Sequence, residues 1–201
     1  MAESGGNHLY SEAIRRFESL LALARDTDLR EPTAMTLATA GADARPQART
    51  VLLKQIDEGG FVFYTNRTSR KGQALADNPF AALLFFWQPL MQQVKIEGAV
   101  EAVSDAEADA YWATRPRESQ VGAWASEQSR PLASREAFEA QMQAVRDKHE
   151  GQEIPRPPHW SGFRLLPDRI EFWHEREFRQ HERDCYWWTR EQGWQWSLLN
   201  P

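Results

Sequence analysis

Residues 49–71, RTVLLKQIDEGGFVFYTNRTSRK, bring Arg49, Lys54, Arg70 and Lys71 into one stretch, and Tyr64 and Thr65 add hydroxyl donors. Cations and hydroxyls grouped this way suit phosphate, so the first expectation is a small phosphorylated ligand lying on a β-sheet. Ser69-Arg70-Lys71 falls at a predicted helix start, where free backbone N–H groups and the helix dipole favour an anion. Taken alone, the triplet is an ordinary solvated basic helix end. Arg49 shifts the balance, because a neighbouring strand can deliver it to the same place. Lys54 lies five residues further on. Strand alternation points it to the opposite face, so the stretch is expected to serve two sites, one per face.

Further along, Tyr111, Arg115 and Ser119 are spaced by four. On one continuous helix they would share a face and present three donors, a good grip for an anion. Pro116 interrupts that helix, and spacing alone favours a plain basic helix end. Gln128-Ser129 reads as a polar loop, and Trp173 as a core residue closing an apolar strand. In FRQHER, Arg179, His181 and Arg183 alternate, which puts all three on one face of an extended chain and calls for an anionic partner. His181 suits proton transfer, although a lone histidine is more often structural. His174 and His181 are seven apart with no Cys or His pair behind them, so no metal site is expected. No P-loop, G-x-G-x-x-G or G-x-S-x-G motif occurs.

These residues must be carried by a framework that composition bounds. A chain of 201 residues holds one domain with a full core, and no linker divides it. Net charge is −5, which argues against a general nucleic-acid binder and leaves phosphate binding to local clusters. Cys185 is the only cysteine, which excludes an internal disulfide and a cysteine zinc site and fits a reducing, cytoplasmic setting. No signal peptide is read at the N-terminus, and no apolar run is long enough to span a membrane. Nine tryptophans are expected in the core, in a flat pocket or at a subunit interface.

Residues 1–8 are expected to be disordered, and 9–201 to form the single domain. Ile14, Phe17, Leu20, Leu21 and Ala24 recur at helical spacing, which predicts a helix from Tyr10 to about Ala24. Residues 34–40 alternate as a strand. Residues 48–54 and 61–65 are expected to pair as a hairpin around Asp57–Gly60. Ser69 caps a short helix ending near Asp77. FAALLFFW (80–87) reads as a buried strand, and QQVKIEGAVEAV as another with a bulge at Gly98. Ser104 to Glu107 is a capping box opening a helix to about Ala113, and Ser134 to Lys148 is a further helix. GFRLL, RIEFW, DCYWWT and WQWSLL follow as strands. Six to eight strands that mostly follow one another predict a mainly β fold, an antiparallel barrel with peripheral helices.

RTVLLK, YTNRTSRK, RPRESQVGAWASEQS, PPHWSGFRL, IEFW and R-x-H-x-R, in that order, resemble the pyridoxine/pyridoxamine 5′-phosphate oxidase family from about Glu31 to Pro201. The resemblance implies a homodimer of FMN-binding split β-barrels, with 160–201 as the dimerisation and substrate-site part. It implies FMN-dependent oxidation of pyridoxine or pyridoxamine 5′-phosphate to pyridoxal 5′-phosphate. A hydride would pass from C4′ to flavin N5, and O2 would be reduced to H2O2. It places FMN along Arg49, Thr50, Val51, Leu52, Leu53 and Lys54, with Tyr64, Thr65, Arg70 and Lys71. Gln93, Gln128, Ser129, Trp173 and Arg183 complete that shell, part of it from the second subunit. Lys54, Tyr111, Arg115 and Ser119 would hold the substrate phosphate, and Arg179 and His181 would cover the substrate ring as the catalytic pair.

The segment 174–182, HEREFRQHE, departs from the family pattern. Glu175 and Arg176 stand where small residues or glycine are usual, Gln180 where leucine is, and Glu182 where aspartate is. Two other readings stand beside the first: a phenazine-biosynthesis-type flavin oxidase, and a non-catalytic flavin- or pyridoxal-phosphate-binding protein of the same fold.

Overall fold

The structure, a computed structural model, describes residues 3–57 and 59–201. Helix α1 (Glu3–Arg25) precedes β1 (Ala34–Ala40), β2 (Pro46–Leu52), β3 (Gln55–Asp57) and β4 (Gly60–Asn66). After α2 (Arg70–Asp77) come β5 (Phe80–Trp87) and β6 (Gln92–Ala102). Three helices follow, α3 (Asp105–Ala113), α4 (Arg117–Ala125) and α5 (Arg135–Lys148). The chain closes with β7 (Trp160–His174), β8 (Glu182–Thr189) and β9 (Gly193–Leu198). The fold is mainly β with helices around it, as the patterning predicts.

All the strand pairings are antiparallel, in the order β2-β1-β5-β6-β7-β4-β3, with β8 and β9 added beside β7. The sheet curls around α1. Phe17, fully buried, meets both Phe61 of β4 and Phe85 of β5 at ring distances of 5.0 and 4.9 Å. Those two strands are separated in the sheet by β6 and β7, so one helix can touch both only if the sheet bends back over it. The apolar stripe read from the sequence faces this core through Ile14, Phe17, Leu21 and Ala24, with Leu20 packed against it.

Four expectations are corrected. The helix begins at Glu3, ahead of Tyr10 and inside the stretch expected to be disordered; residues 1 and 2 lie outside the described residues. The 57–60 turn joins β3 to β4, whereas β2 pairs with β1 from Pro46↔Ala40 to Leu52↔Ala34. The 48–54 run therefore breaks at Leu53-Lys54 and does not hairpin with 61–65. GFRLL and RIEFW belong to one 15-residue strand, β7. Its first half pairs with β4 as far as Leu165 and its second half with β8 from Arg169, so Pro167 falls in the gap between these two pairings and faces β6 only at the Gly98 bulge. Finally, α4 was not foreseen as a separate helix.

The bulge at Gly98 is present: the β6–β7 register shifts between Glu97 and Gly98. A Cβ there would lie 1.9 Å from the carbonyl oxygen of Leu166, so only glycine permits this approach. Among the described residues, no helix is long and apolar enough to cross a membrane.

Candidate functional site

Strand β2 runs along the sheet edge, and β4, α2 and the α3–α4 corner close a cleft of about 490 Å³ against it. Arg49, Thr50, Val51, Leu52 and Lys54 form one wall, with Tyr64, Thr65 and Lys71 beside them. Tyr111, Arg115, Ser119 and Gln128 form the other. Residues far apart in sequence thus meet in one cleft, and one expectation is corrected. Lys54 lines the same cleft as Arg49, because β2 ends at Leu52 and strand parity no longer fixes where Lys54 points. Leu53 is buried in the core, 4% exposed.

Arg49 is fixed by its own neighbours. Its Nη1 donates to the Leu37 carbonyl at 3.0 Å and to Thr39 Oγ1 at 2.8 Å, both on β1. Ser69 caps α2, its hydroxyl accepting from the Gly72 N–H. Lys71 Nζ donates to Gln128 Oε1 at 2.8 Å, and the Arg70 backbone N–H donates to Ser129 Oγ at 3.3 Å. Gln128-Ser129 is therefore tied to the start of α2 and is more than a polar loop. Burial pushes the Arg49 guanidinium below its ordinary range, and the Arg70 charge pushes it further. Burial, followed by the Arg49 charge, does the same to Lys71. Among the described residues, no carboxylate forms an ion pair with Arg49, Arg70 or Lys71. Mutually repelling, partly desolvated cations at a helix start lack an anion, and phosphate fits that need.

The second cluster has the same deficit. Pro116 caps α4 and breaks the chain's helix between Tyr111 and Ser119, yet Tyr111, Arg115 and Ser119 all line the cleft across the corner. The Arg115 guanidinium lies 5.1 Å from the Trp112 ring and 4.8 Å from the Trp160 ring. Its Nη1 is buried with no hydrogen-bond partner, and burial lowers its pKa. Tyr64 stacks on Tyr111 at 4.0 Å and on Trp160 at 5.3 Å. Gly162 makes that stack possible, since a Cβ there would lie 2.7 Å from the Tyr64 ring. The sequence reading missed Trp112 and Trp160 as supports of Arg115; the only signal was their proximity to quoted motifs.

Gln93, Trp173 and Arg183 do not line this cleft. They stand in register across β6, β7 and β8. The His181 ring lies 4.7 Å from that of Trp173, and its Nδ1 accepts the Arg176 N–H at 3.3 Å. Arg179 follows in a 3-10 turn where both Phe178 and Arg179 have positive φ, 54° and 61°. Arg176, one of the departures, pairs with Glu182, another, at 2.9 Å. The predicted residues thus fall into two groups on different parts of the sheet.

Residues 24–149 match the family model described as pyridoxamine 5′-phosphate oxidase. Residues 160–201 match one described as the pyridoxine 5′-phosphate oxidase C-terminal dimerisation region. A pyridoxine/pyridoxamine 5′-phosphate oxidase of Myxococcus xanthus is 56% identical over 94% of this chain and 92% of its own. One of Alkalilimnicola ehrlichii is 57% identical over 96% of this chain and 99% of its own. Among solved structures, PhzG from Burkholderia lata, in complex with tetrahydrophenazine-1-carboxylic acid, superposes with a TM-score of 0.88 at 34% identity, covering 94% of this chain and 92% of that one. A Nostoc punctiforme protein described as pyridoxamine 5′-phosphate oxidase-related and FMN-binding shares the fold, with a TM-score of 0.68 at 18% identity over the whole of both chains. With a split-barrel sheet, family models spanning most of its length and relatives more than half identical, the chain belongs to the pyridoxine/pyridoxamine 5′-phosphate oxidase family.

Proposed function

We propose that the chain is an FMN-dependent pyridoxal 5′-phosphate synthase, acting as a homodimer in the cytoplasm on pyridoxine or pyridoxamine 5′-phosphate. One observation carries the reading: a single cleft holds two sets of cations and hydroxyls without carboxylate partners. Two phosphorylated ligands, a cofactor and a substrate, are what such a cleft is suited to bind. FMN is the cofactor. Arg49, Arg70, Lys71 and the N-terminus of α2 suit its phosphate, and the β2 edge, Tyr64, Thr65, Gln128 and Ser129 flank it. When bound, FMN supplies the redox chemistry, taking a hydride from the substrate C4′ at its N5 and returning the electrons to O2 as H2O2.

The protein binds and orients. Lys54, Arg115, Tyr111 and Ser119 hold the substrate phosphate, and that remote binding energy fixes the position of the reacting carbon. Gln93, Trp173, Arg179, His181 and Arg183 come from the second subunit, whose β6–β8 surface closes the cleft. Arg179 and His181 cover the substrate ring and exclude water.

Purified protein is expected to be yellow and to convert pyridoxine 5′-phosphate to pyridoxal 5′-phosphate with one H2O2 per turnover. Colourless protein that FMN cannot reconstitute would sink the reading. The 34% identity to PhzG supports a phenazine-type oxidase as a second reading. Turnover of a tetrahydrophenazine carboxylic acid but not of pyridoxine 5′-phosphate would favour it, and bound flavin without turnover of either would favour a binding protein. The unneutralised Arg115 favours the phosphorylated substrate.

A further inference from the structure

Glu171, in the middle of β7, is only 5% exposed, yet it lies on the charged outer face of the sheet and not in the apolar core. Its Oε1 accepts a hydrogen bond from Arg183 Nε at 2.8 Å and lies in ion-pair contact with Arg183 Nη2 at 2.7 Å. The remaining guanidinium nitrogen, Arg183 Nη1, donates to the carbonyl of Asn200 at 3.0 Å. The Leu199 N–H in turn donates to the Arg183 carbonyl at 2.8 Å, which seats the terminal residues against β8. Lys95 and Arg169 balance the carboxylate from 3.5 and 3.8 Å on the side of Oε2, which accepts no hydrogen bond.

A buried ion pair is poor evidence for stability, because desolvation consumes most of the Coulombic gain. What this one does achieve is orientation. Two of the five guanidinium N–H donors are hydrogen-bonded, Nε–H to Glu171 and one on Nη1 to Asn200, and the Glu171 ion pair also holds Nη2, so the guanidinium plane is fixed with N–H donors to spare. We propose that Glu171 is a positioning residue that locks Arg183 into a preorganised donor for an acceptor atom of the bound flavin. The inference rests on the reading of Arg183 as a flavin-shell residue.

A double-mutant cycle tests it. FMN dissociation constants are measured by fluorescence titration for the full-length protein and for Glu171→Gln, Arg183→Ala and the double variant, each checked by circular dichroism for folding. Glu171→Gln alone is expected to weaken FMN about 10- to 100-fold, the loss of charge-assisted positioning. In the Arg183→Ala background it should add less than about twofold, because nothing remains to position. Full additivity, or unchanged binding in Glu171→Gln, would overturn the proposal. If Glu171→Gln does not fold, deletion of Asn200 and Pro201 removes the other anchor from an exposed position. That deletion is expected to weaken FMN in the same direction, and unchanged binding would count against the clamp. A ligand-free readout separates this inference from the functional one. In wild-type apoprotein the Arg183 Nε–H should exchange slowly by 15N NMR, and in Glu171→Gln it should not. Wild-type protein that fails to bind FMN refutes the proposed function, while fast Nε–H exchange in wild type refutes the clamp.

Discussion

Arg115→Met separates a ligand-binding cation from a structural one. In the free protein, the Arg115 guanidinium packs against the rings of Trp112 and Trp160, which themselves meet edge to face at 5.0 Å, with a buried, unpartnered Nη1. Replacing it forfeits two cation–π contacts, together about 1–2 kcal/mol. It also removes an unsatisfied buried donor that costs about 1–3 kcal/mol, while methionine keeps an apolar stem against the rings. The two effects nearly cancel, so stability should move by less than about 1 kcal/mol, or roughly 2–4 °C for a chain of this size. Binding should move much further. Loss of a charge-assisted contact to the substrate phosphate costs about 1.5–3 kcal/mol, or about 10- to 150-fold in kcat/KM, chiefly through KM. Differential scanning fluorimetry beside steady-state oxidation of pyridoxine 5′-phosphate, with FMN content determined by absorbance, measures both. A melting point lowered by more than about 10 °C with KM unchanged would show that Arg115 is a strut between two tryptophans and not a phosphate ligand.

Arg179→Ala should lower turnover far more than flavin content; parallel loss of both would place Arg179 on the cofactor instead. Stability should fall in acid through Arg164, which joins Asp57 of β3 to Glu107 of α3. Burial pushes the Asp57 carboxyl up, but the hydrogen bond and charge of Arg164 reverse that and hold it below its ordinary range. Glu107 is held down by the Ser104 hydroxyl and backbone N–H, and by Arg164. Depressed carboxylates contribute stability that is complete above about pH 5 and lost as pH falls through the folded values. The urea midpoint should therefore drop from pH 7 to pH 3, and less so in Arg164→Met; equal drops would assign acid sensitivity elsewhere. Gly98→Ala, whose Cβ would meet the Leu166 carbonyl at 1.9 Å, should cost at least about 2 kcal/mol by chemical denaturation, and a neutral result would mean that the bulge relaxes freely.

What the sequence by itself determined were the features set by neighbours a few residues apart. The alternation of residues 34–40 gave a strand with Met35, Leu37 and Thr39 inward. The Ser69 cap and the Ser104–Glu107 capping box opened α2 and α3 where those residues stand. The order of the motifs also carried the family, since each motif keeps its residue types wherever the chain takes it. Only the tertiary structure decided which elements meet. Local pattern marks a strand but not its partner, so β2 was paired with the wrong neighbour and β7 was divided at a proline that stands between its β4 and β8 pairings. Parity failed for Lys54 because it holds only while a strand continues, and β2 stops at Leu52. Burial and charge partners are likewise properties of the packed chain. No periodicity sets Arg115 against two tryptophans, or shows that Glu171 in the IEFW motif grips Arg183 on the next strand.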